Sequence, residues 1–327
     1  MTLTSTPDNP APPGAIEADI TTSDGVRLRT ARWEGVPPAR GTVAVFGGRG
    51  EFIEKYFELA GDLLARRFCV VLMDWRGQGG SERPLRNPRK GHVDDFSLFE
   101  RDLEAVAEQV LAPNCPRPWF GLGHSMGAAV LLMADVAGRS PFDRLALTSP
   151  LIAVKGVNHR GPALYLVEAL DTLGLGGAFA PGYGPKNLWS APFEGNVVTT
   201  DETRFSRIAR LAAAAPDRGI GGPTVGWAHA AFRALARFDD PAFARATRTP
   251  TLIVAAGADR VTDTSAAERF AMRMRTGRIV VIDGAEHEIL IERDPLRDQF
   301  WAAFDAFVPG GDEPRSAASE SLGADGG

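Results

Sequence analysis

Near the middle of the chain, Gly123-His124-Ser125-Met126-Gly127 sets a serine between two glycines. A serine hydroxyl is a weak nucleophile near neutral pH. To attack a carbonyl it needs a base to take its proton, a carboxylate to orient that base, and two N–H donors where negative charge develops on the carbonyl oxygen. Together these would carry out acyl transfer. The bland alternative is a glycine-rich turn between a strand and a helix, and the flanks decide between them. PWFGLGH before Ser125 is an apolar strand pattern and MGAAVLLMADVAGR after it is a strong helix pattern. A serine held in a strained conformation at such a turn projects from the sheet edge, and Gly123 and Gly127 leave room for strand and helix to cross closely.

The base and the orienting acid should follow in the order serine, acid, histidine. Of the five histidines, His92 precedes the serine and His124 lies within the turn, while His159 and His229 fall in a region read below as an insertion and suit packing or surface roles. His287, in IVVIDGAEHEIL, stands just beyond the last apolar strand and is the expected base. TLIVAAGADRVTD offers two carboxylates. Asp259 is favoured because it is nearer the strand end and Gly257 allows a sharp turn, whereas Asp263 serves equally well to cap the helix beginning SAAERF. One oxyanion donor is expected from the backbone of Met126 and the other from the loop FGGRGEF, where Gly47 and Gly48 permit a close approach and Arg49 supplies its backbone N–H.

Such a site needs a sheet whose strand ends face one way. Short apolar runs at 42–46, 68–74, 119–121, 145–147, 251–255 and 279–282 suit parallel strands covered on both faces. Between them lie helical patterns, as at Phe96, Phe99, Leu103, Val106 and Val110, and again from Asp294-Pro295 through Leu296, Phe300, Phe304 and Phe307. Residues 16–33 form a hairpin about Ser23-Asp24-Gly25. The fold class is therefore α/β, a doubly wound, mostly parallel sheet. The core spans 16–150 and 250–308, interrupted by a helical cap insertion over 151–249 across the sheet's carboxyl edge. Segments 1–15 and 309–327 are poor in apolar residues and are expected to be disordered.

The combination FGGRGEFIEKYFELA, MDWRGQGGSER, FGLGHSMGA, GGPTVGW, AGADRVTD and IDGAEHEIL resembles the lysophospholipase and monoacylglycerol-lipase branch of the α/β-hydrolase superfamily, especially the bacterial lysophospholipase L2 type, from about residue 16 to 308. The resemblance implies an α/β-hydrolase fold and hydrolysis of a carboxylic ester of a monoacyl lipid. Ser125, Asp259 and His287 would be its triad, and the amides of Arg49 and Met126 its oxyanion donors. Many relatives carry His-Gly where this chain has Gly47-Gly48, so a side-chain brace for that loop is missing. Other chemistries that use the same triad, in thioesterases, perhydrolases and small-ester esterases, are the alternatives, along with a non-catalytic ligand-binding protein on the same fold.

Composition narrows the partners. With 36 basic and 41 acidic residues, formal charge −5, and no dense basic run, a nucleic-acid surface is not expected. Cys69 and Cys115 show no metal-ligand spacing and no Walker-type loop is present, so neither metal nor organic cofactor is expected. No signal peptide or spanning segment is evident, which gives the expectation of a cytoplasmic protein. In the insertion, Leu164, Leu166, Val167, Leu170 and Leu173, with Trp189, Phe193 and Trp227, could line an acyl tunnel or touch the inner membrane face. Asp74, Trp75 and Arg76 suit a buttress for the active-site loops; no oligomeric state can be read.

Overall fold

The computed structural model of the protein describes residues 2–158 and 160–309. His159 and all of the expected carboxyl-terminal tail except Pro309 lie outside the described residues. Eight strands build one sheet: β1 (Ile16–Thr21), β2 (Arg27–Trp33), β3 (Thr42–Phe46), β4 (Cys69–Met73), β5 (Trp119–His124), β6 (Arg144–Thr148), β7 (Thr251–Ala256) and β8 (Gly277–Ile282). They lie in the order β1-β2-β4-β3-β5-β6-β7-β8. The hairpin β1–β2 joins β4 antiparallel, and every pair from β4 to β8 is parallel.

β3, β4, β5 and β7 are buried at every position, as strands covered on both faces must be. Because side chains alternate along a strand, each feeds two cores. Ala44, Phe46, Val71, Met73, Leu145 and Leu147 join helices Ser97–Val106 and Met126–Val136 on one side. Val43, Val45, Val70, Leu72, Phe120 and Leu122 join helices Phe57–Ala65 and Asp294–Phe307 on the other.

Between β6 and β7 the described residues add no strand to the sheet; they form helices Pro162–Leu170, Glu202–Ala214, Val225–Phe238 and Pro241–Arg245 among turns and loops. This region is not a detached lid. Ala230, Ala231, Leu235 and Phe238 of helix Val225–Phe238 pack in the main core, while Trp189, Phe205, Ile208 and Leu211 form a separate cluster with Phe52 and Ile291.

Residues 2–15 depart from the expectation of disorder. Asn9 is buried and donates to the Glu54 carbonyl (2.9 Å), the Trp33 indole donates to the Pro12 carbonyl (2.9 Å), and Leu3, Ala11 and Ala15 pack against the core. Side-chain hydrogen bonds and three small apolar contacts anchor a segment whose composition alone carries too little apolar surface to order it.

Candidate active site

Ser125 stands between β5 and helix Met126–Val136 with φ 50° and ψ −113°. A non-glycine residue rarely takes positive φ, and here the surroundings enforce it: its N–H donates to Thr148 O (3.0 Å), and its carbonyl accepts from Ala129 and Leu151 (3.2 and 3.0 Å). The flanking glycines are steric requirements. A Cβ on Gly127 would lie 2.1 Å from Phe46 O, and one on Gly123 would lie 2.7 Å from Ala128 Cα. β3 therefore approaches the elbow closely enough for the loop that follows it to reach Ser125.

The three distant side chains meet. His287 Nε2 is 3.1 Å from Ser125 Oγ, and His287 Nδ1 is 2.9 Å from Asp259 Oδ2. All three are buried. Asp259 follows β7 and is held by its own turn: Oδ1 accepts from the Val261 and Thr262 amides (2.7 and 2.8 Å), and Oδ2 accepts from the Thr262 hydroxyl (2.7 Å). Burial works to raise the Asp259 pKa, but the hydrogen bonds and charge of His287 and the bonds from Thr262 outweigh it and hold the carboxyl below its ordinary value. An ionised Asp259 takes the Nδ1–H, which leaves the Nε2 lone pair facing Ser125. Asp263 points elsewhere; it caps helix Thr264–Ala271 by accepting from Ala266 N (3.2 Å).

Met126 is the first residue of its helix, so its N–H has no carbonyl four residues back within the helix to bond. The Gly47-Gly48 loop lies against the elbow, with a Cβ on Gly48 only 3.2 Å from Ser125 Cβ. The brace that the sequence lacks at Gly47 comes from the stretch after β4. Trp75 Nε1 donates to Gly47 O (2.9 Å), Gln78 Nε2 donates to Gly48 O (2.8 Å), and Gly50 N donates to Gln78 Oε1 (3.1 Å). Of the expected buttresses, Trp75 acts directly, and Asp74 pins the loop's far end by accepting from Ile53 N (2.8 Å). Arg76 instead binds Asp102 and Asp24.

Beside the triad lies a buried charged cluster that the sequence does not reveal. Lys55 Nζ donates to Glu51 Oε1 (2.7 Å) and Glu288 Oε2 (2.5 Å). Tyr56 OH donates to Glu51, and Gly48 N donates to Glu51 Oε2 (2.5 Å). His124 places Nε2 3.3 Å from Glu288 and 3.5 Å from Glu51, with its ring 4.9 Å from that of His287. Burial opposes protonation of His124, yet Glu288 and Glu51 raise its pKa overall. Glu51, His124 and Glu288 could gather a metal ion, since their ligating atoms lie within 4.8 Å of one another. The Lys55 ammonium already stands between the two carboxylates, so their charge is met from within the protein. In sequence, Glu51 and Lys55 look like an ordinary solvated pair four residues apart.

Ser125 and His287 open on a cavity of about 800 Å³ walled mainly by apolar residues, among them Leu151, Val154, Val198, Ile220 and Trp227. Of the residues expected to line an acyl tunnel, Trp189 and Trp227 line this cavity. Leu166 and Leu173 are exposed, Val167 packs within the insertion, and Phe193 packs on Phe205. His229 pairs with Asp171 (2.8 Å) and His92 with Thr224 and Asp94, away from Ser125.

The family model Hydrolase_4, described as serine aminopeptidase, S33, matches residues 37–294. The chain is 35% identical over 295 residues to lysophospholipase L2 of Escherichia coli strain K12, covering 86% of this chain and 84% of that protein. It is 30% identical over 258 residues to a probable lysophospholipase L2 of Haemophilus influenzae, covering 79% and 80%. Among solved structures, a soluble variant of monoglyceride lipase from Saccharomyces cerevisiae superposes with TM-score 0.68 at 19% identity, over 88% of this chain and 93% of that one. The α/β hydrolase GrgF from Penicillium superposes with TM-score 0.63 at 16% identity, over 90% and 99%.

Proposed function

Since the chain belongs to the Hydrolase_4 family, on the α/β-hydrolase fold, we propose that it is a serine hydrolase cleaving the carboxylic ester of a monoacyl lipid through an acyl-enzyme. The observation that carries this is the contact chain Ser125–His287–Asp259 opening on a large apolar cavity. Ser125 Oγ attacks the ester carbonyl while His287 Nε2 takes its proton, and the amides of Met126 and Arg49 receive the developing oxyanion. The tetrahedral adduct collapses, the ester C–O bond breaks, and His287 returns the proton to the leaving alcohol. Water, deprotonated by His287, then cleaves the acyl-serine and the fatty acid departs. Asp259 remains ionised throughout and stabilises the imidazolium.

Lipid esters fit this site better than peptides. An aminopeptidase must hold a substrate's ammonium end, and the two carboxylates lining the cavity, Glu51 and Glu288, are both bound to Lys55. The relatives that match over most of their length are named as lysophospholipases.

Peripheral membrane contact is part of the same reading. Tyr183 and Leu188 are exposed at the cavity wall, which supports a lipid entering from a membrane surface, and Tyr165, Leu166, Leu173 and Leu175 are exposed elsewhere on the insertion. No helix among the described residues is long and apolar enough to cross a membrane. The test is covalent labelling by a fluorophosphonate, followed by turnover of a graded series of monoacyl esters. Wild type should be labelled and favour medium or long chains, and Ser125→Ala should lose labelling and at least about 10³-fold in turnover. Normal turnover by Ser125→Ala would refute the mechanism, and activity on acetyl esters alone would refute the lipid assignment.

A further inference from the structure

The cavity contains a cation that the hydrolytic chemistry above does not use. The Arg49 side chain lines the same wall as Ser125, and among the described residues no carboxylate pairs with it. Its guanidinium lies 4.9 Å over the Trp227 ring and donates to Gly221 O (3.1 Å), while its Nε–H is buried without an acceptor. Desolvation lowers its pKa to about 10, and at neutral pH it remains charged. Arg49 is half-buried, and an arginine drawn this far from water normally has an anion beside it, because its planar fork of donors is matched by a carboxylate or phosphate. The two carboxylates that share this cavity cannot serve, since Lys55 already takes both.

The rest of the wall agrees in sign. Lys186 also lines the cavity and is exposed, so one cation lies within and another faces solvent, with no uncompensated acidic group among the described residues that line the cavity. Such an arrangement draws an anion toward the reacting ester. Hydrophobic packing does not explain an arginine here, because an aliphatic residue would line an acyl cavity without the desolvation cost.

We propose that the Arg49 side chain determines specificity by binding a phosphate on the leaving alcohol, so that the site takes monoacyl glycerophospholipids in preference to neutral monoacylglycerols. This rests on the assignment of Ser125 as an ester-cleaving nucleophile and extends it to the headgroup. It is separate from the Arg49 backbone N–H, which any substitution other than proline retains. Trp227 and Gly221 hold the guanidinium, and Gln78 braces the loop that carries it at Gly48 and Gly50.

The test compares hexanoyl lysophosphatidate with monohexanoylglycerol, both monomeric in solution, on wild type, Arg49→Met and Arg49→Lys. Arg49→Met should raise KM for the phosphate-bearing ester about 10- to 100-fold more than it raises KM for monohexanoylglycerol, the size of a hydrogen bond to a charged group, while any disturbance of the Arg49 amide lowers kcat on both esters alike. Arg49→Lys should recover part of the loss, since a point charge replaces the fork. Glycerol phosphate should competitively inhibit hydrolysis of p-nitrophenyl butyrate by wild type and not by Arg49→Met. An equal rise in KM on both lipids, or no rise, overturns the proposal. So does Arg49-dependent inhibition by hexanoate with none by glycerol phosphate, which would assign the guanidinium to the acid product. If wild type neither hydrolyses these esters nor reacts with a fluorophosphonate, the Ser125 assignment has failed. Calorimetric binding of glycerol phosphate to wild type and Arg49→Met then decides the Arg49 site alone.

Discussion

Lys55→Met should unsettle both stability and catalysis, by amounts that follow from the cluster it leaves behind. The Lys55 ammonium has 0% side-chain exposure and touches Glu51 at 2.7 Å and Glu288 at 2.5 Å. Methionine nearly fills the space, so the main effect is removal of the charge. Breaking a buried ion pair by deleting one partner costs about 3–5 kcal/mol, a large part of the roughly 5–15 kcal/mol that keeps a domain folded. Two buried carboxylates would then face each other with the His124 ring, whose pKa they raise, as the nearest remaining base. The pH dependence has a definite sign. Against the pull of burial, Lys55 and His124 depress the Glu288 pKa well below its ordinary 4.5, so its contribution is present above that value and is lost as pH falls through the depressed one. The Lys55 pKa is raised above 10.5, since Glu288 and Glu51 outweigh desolvation, so its contribution persists below that value. The deficit of Lys55→Met should therefore be full near neutral pH and shrink toward acid pH, as a proton enters the Glu288 carboxylate left without its ammonium. Urea unfolding near pH 7 and near pH 5 measures this, with Lys55→Met/Glu288→Gln closing the double-mutant cycle; the second change should restore much of the first loss. Turnover should fall as well, because Glu51 also accepts the Gly48 N–H in the loop beside the elbow. A neutral-pH loss under about 1 kcal/mol, the worth of an exposed pair, or a deficit that does not narrow in acid, would refute the reasoning.

Other substitutions probe the site's neighbours. Asp259→Asn should lower kcat about 10⁴-fold by losing the histidine tautomer; Asp263→Ala should cost about 1 kcal/mol in urea melts as a lost cap and leave kcat nearly intact, and the reverse pattern would exchange their roles. Gly127→Ala should prevent folding or cost several kcal/mol, because its Cβ meets Phe46 O at 2.1 Å, whereas Gly61→Ala, mid-helix with nothing within 4 Å, should stabilise by about 0.4–1 kcal/mol. Trp75→Phe keeps an aromatic ring but leaves the Gly47 carbonyl unbonded, so kcat should fall more than KM rises, with a stability loss of about 1–3 kcal/mol; an unchanged kcat would mean that the loop does not depend on this brace.

The residues legible in the sequence were those whose position follows from a periodic element. Ser125 sits where a strand pattern turns into a helix pattern, and His287 and Asp259 each follow an apolar run, so the sheet's topology carries all three to one edge. The acyl wall had no such signal. The amphipathic run ALYLVEALDTL suggests a lining, but periodicity does not say which surface its apolar side meets, and Leu166 and Leu173 are exposed. The cavity is lined instead by single residues such as Leu151, Val198 and Ile220, scattered through loops where no pattern marks them. The charged cluster was hidden for a related reason: Lys55 and Glu288 meet across 233 positions, and separately each resembles a solvated surface charge.

The missing brace at Gly47 and the buried charges are two parts of one device. The backbone oxyanion donor proposed at Arg49 would not be aimed by its own side chain, so its neighbours must hold the peptide in place. Trp75 and Gln78 grip residues 47, 48 and 50 from one side, Glu51 holds Gly48 from the other, and Asp74 fixes Ile53 beyond. Asp74 and Glu51 are buried carboxylates, and each can serve as an acceptor there only because a cation compensates it: Arg29 for Asp74 at 2.8 Å and Lys55 for Glu51 at 2.7 Å. Arg29 also binds Glu54 with both terminal nitrogens, which ties the second cation to the turn that follows the loop. The small residues that let the loop reach Ser125 thus leave it floppy by composition, and buried ion pairs supply the rigidity from outside. Substitutions at Lys55 or Arg29, neither of which belongs to the triad, should for that reason depress kcat as well as stability.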